Sequence, residues 1–303
     1  MPVDVETFTN SSLGVSLFST LAAHIDARFG HRLADYAADR IASRRTSRLV
    51  RALRLNQWVV LGESTTGPEL ESAVRRTLRY SARSVFDLYR YIHEARAIEK
   101  LVALEGELVD LIGRNEFSNR GLVVVGLHLS NFDLMVRWFC GQDFRPLVLT
   151  IPDPRGGRRV EYEMRQEMGV NIVPGTVAGL RKALRHLQAG GTVLTGMDRP
   201  ISRPRLQPCF FGRPASLPVH HIYLAARARV PIVVAATTLE DDGRYHVGIS
   251  EKLEMGADHG GNKQMLHDAE GVLRVAEGFI RQAPQQWSVP LAVWPSAANL
   301  VPQ

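Results

Sequence analysis

A histidine and an aspartate with four residues between them are the first candidates for chemistry in this sequence. His128 and Asp133 lie in GLVVVGLHLSNFDLMVRWFC, which spans residues 121–140. On one continuous helix this offset would place the two side chains roughly 140° apart, so they can meet only across a turn. There the carboxylate could hold one imidazole nitrogen while the other takes a proton. The pair also fits a simpler interpretation, a half-exposed histidine beside an aspartate that favours a helix N-terminus.

The residues around this pair predict the elements that position it. Residues 122–125 form a continuous apolar run rich in valine, which is typical of a strand buried on both faces. Ser130 and Asn131 are good helix N-caps, and an apolar stretch follows them. The segment therefore predicts a strand, a short turn and a helix, with His128 at the carboxyl end of the strand. In open α/β sheets, ligands bind at that end.

The second part of the chain, residues 119–303, alternates strand and helix patterns. Strands are predicted at 121–127, 146–151, 170–173, 192–197, 205–211, 231–239 and 244–250. Helices are predicted at 131–140, 158–168, 176–189, 218–229 and 262–283. This alternation predicts an α/β fold with a mostly parallel central sheet flanked by helices, and with antiparallel pieces near the end.

The first part, residues 1–118, is predicted to be an N-terminal helical region that faces a membrane and joins the α/β core in one integrated domain. We expect no strand before residue 121. A first helix should begin near residues 10–12 and end at Gly30, and others should open at Pro68 and cover about 95–112. The first helix could lie in a lipid interface or pack on its own domain.

The charge of the chain favours an anionic partner. There are 37 Lys and Arg against 31 Asp and Glu among 303 residues, a formal net charge of +6. Arginines recur at helical spacing, which predicts one basic face from Arg40, Arg44, Arg48 and Arg51, with Arg45 and Arg54 beside it. A solvated face, a membrane, a phosphorylated ligand and nucleic acid all fit this charge. Nucleic acid is the least favoured, because interleaved aromatics and a recognisable binding fold are missing.

Several motifs of other enzyme classes are absent from the sequence. It contains no GxSxG elbow, no GxxxxGK[ST] loop and no GxGxxG after a strand. His, Cys and Asp residues show no metal-ligand spacing, so we expect neither a metal nor a resident cofactor. Acidic residues precede any apolar run at the N-terminus, so no signal peptide is expected and the predicted location is cytoplasmic.

The residues from His128 to Asp133 resemble the HX4D motif of the lysophospholipid acyltransferase superfamily. The wider context is similar to the bacterial branch that holds lipid A biosynthesis and phosphatidylinositol mannoside acyltransferases. Further blocks of that branch occur in the expected order: Met164-Arg165 with Gly169, Val193 to Arg199, Phe210 to Ala215, Ala225 to Val233, and Pro284 to Trp287. After Trp287 the chain departs from the pattern, because an uncharged SVPLA replaces a His-Arg-Arg cluster. The membrane helix typical of lipid A enzymes is also weak or absent.

The resemblance implies an O-acyltransferase that moves a fatty acyl chain from acyl-CoA or acyl-carrier protein to a hydroxyl of a lipid or glycolipid. It implies His128 as general base and Asp133 as the group that orients it. The same resemblance implies substrate contacts, which we assign to Asn131, Arg165, Asp198, Arg199, Phe211, Gly212 and Arg213. The partners implied are the acyl thioester, the lipid acceptor and the anionic cytoplasmic face of the inner or plasma membrane, where the protein would be peripheral.

An apolar channel for the acyl chain is also expected. Its candidate lining, which could equally be ordinary core, is Phe132, Met135, Trp138, Phe139, Phe210 and Phe211.

Two other functions stay open for the same fold. One is an acyl thioesterase that uses the His128–Asp133 pair on water. The other is a catalytically idle protein that binds lipid or acyl-carrier protein.

Overall fold

The fold is described from a computed structural model of the chain. The structure describes residues 21–91, 94–104, 106, 108, 120–141, 146–150, 162–163, 166, 170–256 and 261–302. The predicted fold class is confirmed: a mostly parallel sheet lies between helices and follows a helical N-terminal region.

The central sheet has seven strands in the order β1-β9-β8-β2-β5-β3-β4. The strands are β1 Val102–Leu104, β2 Leu122–Gly126, β3 Leu147–Thr150, β4 Asn171–Pro174, β5 Thr192–Gly196, β8 Ile232–Leu239 and β9 Tyr245–Ile249. Every neighbouring pair is parallel except β8 with β9. Two further strands of two residues each, β6 Cys209–Phe210 and β7 Arg213–Pro214, form a separate antiparallel hairpin. The central position of β2 follows from its sequence, because all five of its residues are buried.

Helices cover both faces of this sheet. They are α1 Ala27–Ala42, α2 Arg48–Leu61, α3 Gly67–Tyr91, α4 Ala95–Leu101, α5 Phe132–Gly141, α6 Val177–Gln188, α7 His220–Ala228 and α8 Gly261–Gln282. Alternate residues of β2 contribute to different cores: Val123 and Val125 pack with α2, α6, α7 and α8, whereas Val124 packs with α4 and α5. Two 3-10 helices, Pro284–Gln286 and Pro295–Leu300, close the chain against the first of these cores.

The helical front part differs from the prediction at Gly30. This glycine does not end a helix but lies buried inside α1. A Cβ atom at this position would collide with the ring of Phe86 on α3. Glycine is therefore required by the close approach of α1 to α3, and not by a turn. The described ranges leave out residues 1–20, which hold about half of the predicted first helix.

Three other expectations were wrong. A strand does precede residue 121, because β1 interrupts the helix predicted at 95–112 and pairs with β9. The arginine run is not one helical face, because α1 ends at Ala42 and α2 begins at Arg48. The strand predicted at 205–211 is only the two-residue β6. Most of the helix predicted at 158–168 falls outside the described residues. The boundary at 118/119 stays a prediction, although β1 carries the sheet into the first part.

Candidate functional site

Two polar side chains meet where β2 and β5 end. These strands are parallel neighbours, and Gly126 pairs with Gly196 in their register. His128 and Asp198 each follow two residues after their paired glycine, so the same register brings them together. Nδ1 of His128 lies 2.6 Å from Oδ1 of Asp198. The carboxylate is fully buried, whereas the histidine side chain is 37% exposed.

The second carboxylate oxygen of Asp198 is held by two N–H groups. The backbone N–H of His128 donates to Oδ2 at 2.8 Å, and the indole Nε1–H of Trp287 donates to the same oxygen at 2.8 Å. Trp287 reaches this place because residues 286–288 run antiparallel to the turn after β2. The backbone N–H of Ser130 donates to the carbonyl of Gln286, and that of Ser288 donates to the carbonyl of His128. The carboxylate is thus fixed from three directions.

The electrostatics of the pair make the imidazole of His128 a stronger base. Burial alone lowers the pKa of His128, but the charge of Asp198 and its hydrogen bond outweigh burial, and the pKa is raised. Burial alone raises the pKa of Asp198, but the charge of His128 and the hydrogen bonds from His128 and Trp287 outweigh it, and that pKa is lowered. Asp198 therefore stays ionised and stabilises a proton on the histidine.

Paired glycines make room for this geometry. A Cβ at Gly196 would lie 3.3 Å from Cε1 of His128, so the imidazole rests directly over the β5 backbone. A Cβ at Gly126 would collide with the ring of Phe132, which opens α5. Ser130 between them has a left-handed backbone with φ of 50°. Non-glycine residues rarely adopt this conformation, so the contacts around the turn must hold Ser130 in it.

The orienting role predicted for Asp133 stays a prediction. The group that accepts the described hydrogen bond from Nδ1 of His128 is Asp198. Asp133 lies in the first turn of α5 and is close enough for its charge to help raise the pKa of His128.

The polar side-chain atoms of Asn131 are bonded within the protein: Oδ1 accepts the N–H of Leu134, and Nδ2 donates to the carbonyl of Ser84. Its backbone N–H remains the candidate for a substrate contact.

Phe211 and Gly212 form the turn of the small hairpin. Their φ angles are 49° and 72°, and the two residues connect a directly paired Phe210 and Arg213. This is the geometry of a two-residue type I′ turn, which explains a glycine at the second position. The N–H of Phe211 donates to Glu277 on α8 at 2.5 Å, so the turn is tied to the core.

The candidate arginines have different surroundings. Arg213 is ion-paired with Glu63, and its guanidinium lies 5.3 Å from the ring centre of Trp58. Arg199 follows Asp198 directly, and its charge acts on His128 by lowering the pKa of the imidazole. Arg165 lies outside the described residues. Substrate roles for all three stay predictions.

Sequence reasoning missed the contact of Asp198 with His128 and the role of Trp287. One signal could have found the first. The segments LVVVGLH and TVLTGMD both place a glycine and one further residue between an apolar strand and a polar side chain. If two such strands are parallel neighbours, the shared offset predicts that their polar side chains lie close together. For Trp287, the only indication in the sequence was that residues 284–287 resemble a block of the acyltransferase branch.

The arrangement can carry a proton to and from a bound hydroxyl or water. Asp198 occupies Nδ1, so Nε2 is the nitrogen available to a substrate. Among the described residues, no group of three or more His, Cys, Asp or Glu side chains could hold a metal ion.

Comparison with known proteins supplies the family. The model of the bacterial lipid A biosynthesis acyltransferase family matches residues 12–294, which is nearly the whole chain. A search of curated proteins gave no match. The matched region contains His128, Asp198 and Trp287 together with all seven strands of the central sheet and helices α1 to α8. The chain belongs to the bacterial lipid A biosynthesis acyltransferase family.

Proposed function

We propose that this protein is an O-acyltransferase that uses His128 as a general base. Membership of the family implies an acyltransferase with an acyl donor and a lipid acceptor. The finer proposal is that a fatty acyl thioester, either acyl-CoA or acyl-carrier protein, acylates a hydroxyl of a glycerolipid or glycolipid. The observation that carries it is the 2.6 Å contact between His128 and a fully buried Asp198.

The proposed reaction needs no covalent enzyme intermediate, because a thioester is already activated. Nε2 of His128 takes the proton of the acceptor hydroxyl while the hydroxyl oxygen attacks the thioester carbonyl carbon. The tetrahedral intermediate collapses, the carbon–sulfur bond breaks, and the thiolate receives the proton from the imidazolium. The products are an ester and a free thiol, and the histidine is neutral again. General-base catalysis of this kind contributes about 10²–10⁴-fold.

Asp198 is the residue to which we assign orientation of the histidine. Its hydrogen bond places the ring proton on Nδ1 and leaves the Nε2 lone pair for the acceptor. Its negative charge stabilises the imidazolium that forms during the reaction. Asp133 adds a weaker negative potential at the same histidine. This assignment predicts a larger catalytic loss for Asp198→Asn than for Asp133→Asn.

The developing oxyanion needs hydrogen-bond donors. Backbone N–H groups at the start of α5 near Asn131, or those around Gly212, are the candidates. Arg199 is the best-placed cation for a phosphate on either substrate, because its charge already acts on His128. We propose Arg165 and Arg213 as further phosphate contacts. Arg213 can bind a phosphate only after its ion pair with Glu63 breaks.

An apolar cavity next to α5 is the proposed site of the acyl chain. It has a volume of about 30 Å³, so an acyl chain would have to widen it, and it lies between α5 and one face of the sheet, with Met135, Phe139, Val124 and Leu194 among its lining residues. Phe132 and Trp138 pack against the same core. Phe210 and Phe211 belong to the core on the other face, so the six residues predicted for the channel do not line one cavity.

This site is tested by filling the cavity. Leu194→Phe should shift donor preference toward shorter acyl chains, because the larger side chain occupies space that the chain end would use. Leu149→Phe adds the same bulk to the opposite face and should leave chain-length preference unchanged. Equal preferences in both variants would contradict the assignment.

The outer face of α1 supports the proposed membrane partner. Phe29, Leu33 and Tyr36 are spaced by four and three residues, and they are 59%, 49% and 63% exposed. Exposed Arg28, Arg32 and Arg40 flank them, and none of these arginines forms an ion pair with a residue of the described ranges. An apolar stripe bordered by free cations suits the surface of an anionic bilayer. In the described part of the chain, no helix is long and apolar enough to cross a membrane. We place the protein at the cytoplasmic face, peripherally attached.

Vesicle sedimentation tests this surface. Replacing Arg28, Arg32 and Arg40 with glutamine should reduce binding to phosphatidylglycerol vesicles by one to two orders of magnitude, since each cation contributes about 1 kcal/mol near the surface. The matched control replaces Arg181, Lys182 and Arg185 of α6, which are exposed and carry the same total charge. An equal loss in both triple variants would show that only net charge matters.

The reaction itself is tested by thiol release from long-chain acyl-CoA and acyl-carrier protein, with a panel of lysolipid and glycolipid acceptors. Wild type should need an acceptor, and His128→Ala should lose activity by at least about 100-fold. Release without an acceptor would favour a thioesterase. No release by wild type with either donor and any acceptor would favour a binding protein.

A further inference from the structure

We infer that Asp87 and Tyr245 are positioning residues of the candidate site, acting on it through Asn131. The inference rests on the proposed function, because it concerns how well His128 is placed for transfer. It is carried by a chain of buried polar contacts that begins at the half-exposed His31 on α1 and ends at the first turn of α5.

Asp87 on α3 is the centre of this chain. Its side chain is only 6% exposed. Nε2 of His31 lies 2.6 Å from Oδ1, and the hydroxyl of Tyr245 on β9 donates to Oδ2 at 2.5 Å. A buried carboxylate is costly unless each of its oxygens is bonded, and both are bonded here. The aspartate therefore fixes the position of the Tyr245 hydroxyl.

Helix α3 connects this contact to the start of the active-site helix. The Tyr245 ring is fully buried, and Ser84 lies one turn before Asp87 on the same helix. Asn131 is bonded on every side: its amide donates to the carbonyl of Ser84, and its oxygen caps α5 by accepting the N–H of Leu134. The residue that ends the turn carrying His128 is thus anchored to α3, which Asp87 and Tyr245 hold against β9.

The opposite end of the chain opens to solvent. Asp87 and His31 line a polar pocket between α1, α3 and the β8–β9 turn. The other titratable or charged groups that line it are Tyr80, Arg83, Tyr91, Glu240 and Asp241. Arg83 is engaged by both oxygens of Asp35 on α1. The Asp87–Tyr245 contact therefore lies between this solvent-accessible pocket and the candidate site.

A physical consequence follows for the turn at residues 128–131. On one side, Trp287 and Gln286 hold this turn through backbone pairing and Asp198. On the other side, the Ser84 carbonyl of α3 holds its last residue, and the Tyr245 hydroxyl holds α3 through Asp87. Loss of that hydroxyl should let the turn shift relative to β5, which lengthens the His128–Asp198 contact. A displacement of even 1 Å can cost up to about 100-fold in rate.

The test compares Tyr245→Phe with the wild type in the acyl-transfer assay. The ring and its packing remain, so the fold should persist. We expect kcat to fall about five- to tenfold while the donor KM stays within about twofold, because the lost hydrogen bond acts on the placement of the base and Tyr245 is buried away from solvent. The acidic limb of the kcat/KM profile should move to lower pH, because a weaker contact with Asp198 lowers the pKa of His128.

Asp39→Asn is the matched control. Asp39 joins the same two helices, since both its oxygens accept hydrogen bonds from Arg79, but it has no described contact with Asn131. It should leave kcat and the acidic limb unchanged. If Asp39→Asn lowers kcat as much as Tyr245→Phe, the effect is general loosening of α1 and α3, and the inference fails. It also fails if Tyr245→Phe behaves like wild type.

His31→Gln keeps the test decisive if Tyr245→Phe does not fold. This substitution at the half-exposed end removes one contact to Asp87 and should give a smaller drop in kcat in the same direction. An unchanged kcat would then overturn the inference. Activity that is lost in His128→Ala but kept in Tyr245→Phe would remove only this inference. Equal activity of His128→Ala and wild type would remove the proposed function itself.

Discussion

Asp198→Asn is the substitution whose outcome depends most on the geometry of the site. Oδ2 of Asp198 accepts two N–H donors, and Oδ1 faces Nδ1 of His128. An asparagine satisfies the two donors only if its oxygen takes the Oδ2 position. Its NH₂ group then points at Nδ1, which must become the acceptor. The ring proton moves to Nε2, the nitrogen that has to act as the base.

The expected loss can be estimated from what the base contributes. The wrong tautomer removes most of general-base catalysis, about 10²–10⁴-fold. In Ser-His-Asp hydrolases, the corresponding change costs about 10⁴-fold for the same reason. We therefore expect kcat to fall by about 10²–10⁴-fold, with little change in donor KM. The acidic limb of the kcat/KM profile should also move to lower pH, because the neighbouring charge that raises the pKa of His128 is gone.

The assay is thiol release at saturating acceptor, followed from pH 5 to 9, with Asp133→Asn beside Asp198→Asn. Asp133→Asn removes a more weakly acting charge and should cost less than about tenfold. Circular dichroism and urea unfolding establish that both variants fold. The reasoning is refuted if Asp198→Asn retains activity within threefold of wild type, or if Asp133→Asn loses as much as Asp198→Asn.

Three further predictions concern the site and the stability of the fold. Trp287→Phe keeps an aromatic ring but removes a hydrogen bond to Asp198, so kcat should fall about tenfold in steady-state assays, and an unchanged kcat would contradict this. His221 is buried, and its pKa falls from 6.5 to about 3. The unfolded state therefore binds more protons below pH 6.5, and this group alone should cost about 2 kcal/mol of stability by pH 5 in urea unfolding. His221→Phe should remove that share and leave the loss that comes from buried His220, whose pKa falls to about 4. Gly30→Ala should lower the free energy of unfolding by about 1–3 kcal/mol, because the new methyl group collides with Phe86.

The strands and helices of the second part were predictable because their signals are local. Continuous apolar runs such as residues 122–125 fix a strand within the chain itself, and Asp242-Gly243 correctly predicted the turn between β8 and β9. The differences of one or two residues at their ends change nothing in the topology. His128 was recognisable for the same reason, because its motif is contiguous.

The failures came where a residue is explained by a distant neighbour. Gly30 looked like a helix stop, but the ring of Phe86 explains it. β1 is three residues long and exists as a strand because β9 pairs with it. The partnership of His128 with Asp198 joins positions 70 residues apart. No periodicity within one segment reports such contacts, whereas the register of two parallel strands does.

The measurement that tests the central claim most directly is product stoichiometry in wild type and His128→Ala. Both the thiol released and the acylated lipid formed would be quantified from the same reaction by mass spectrometry. The proposed mechanism predicts one acylated acceptor for each thiol in wild type, and both products reduced at least about 100-fold in the variant. Equal amounts of acylated lipid from the two proteins would contradict the role of His128.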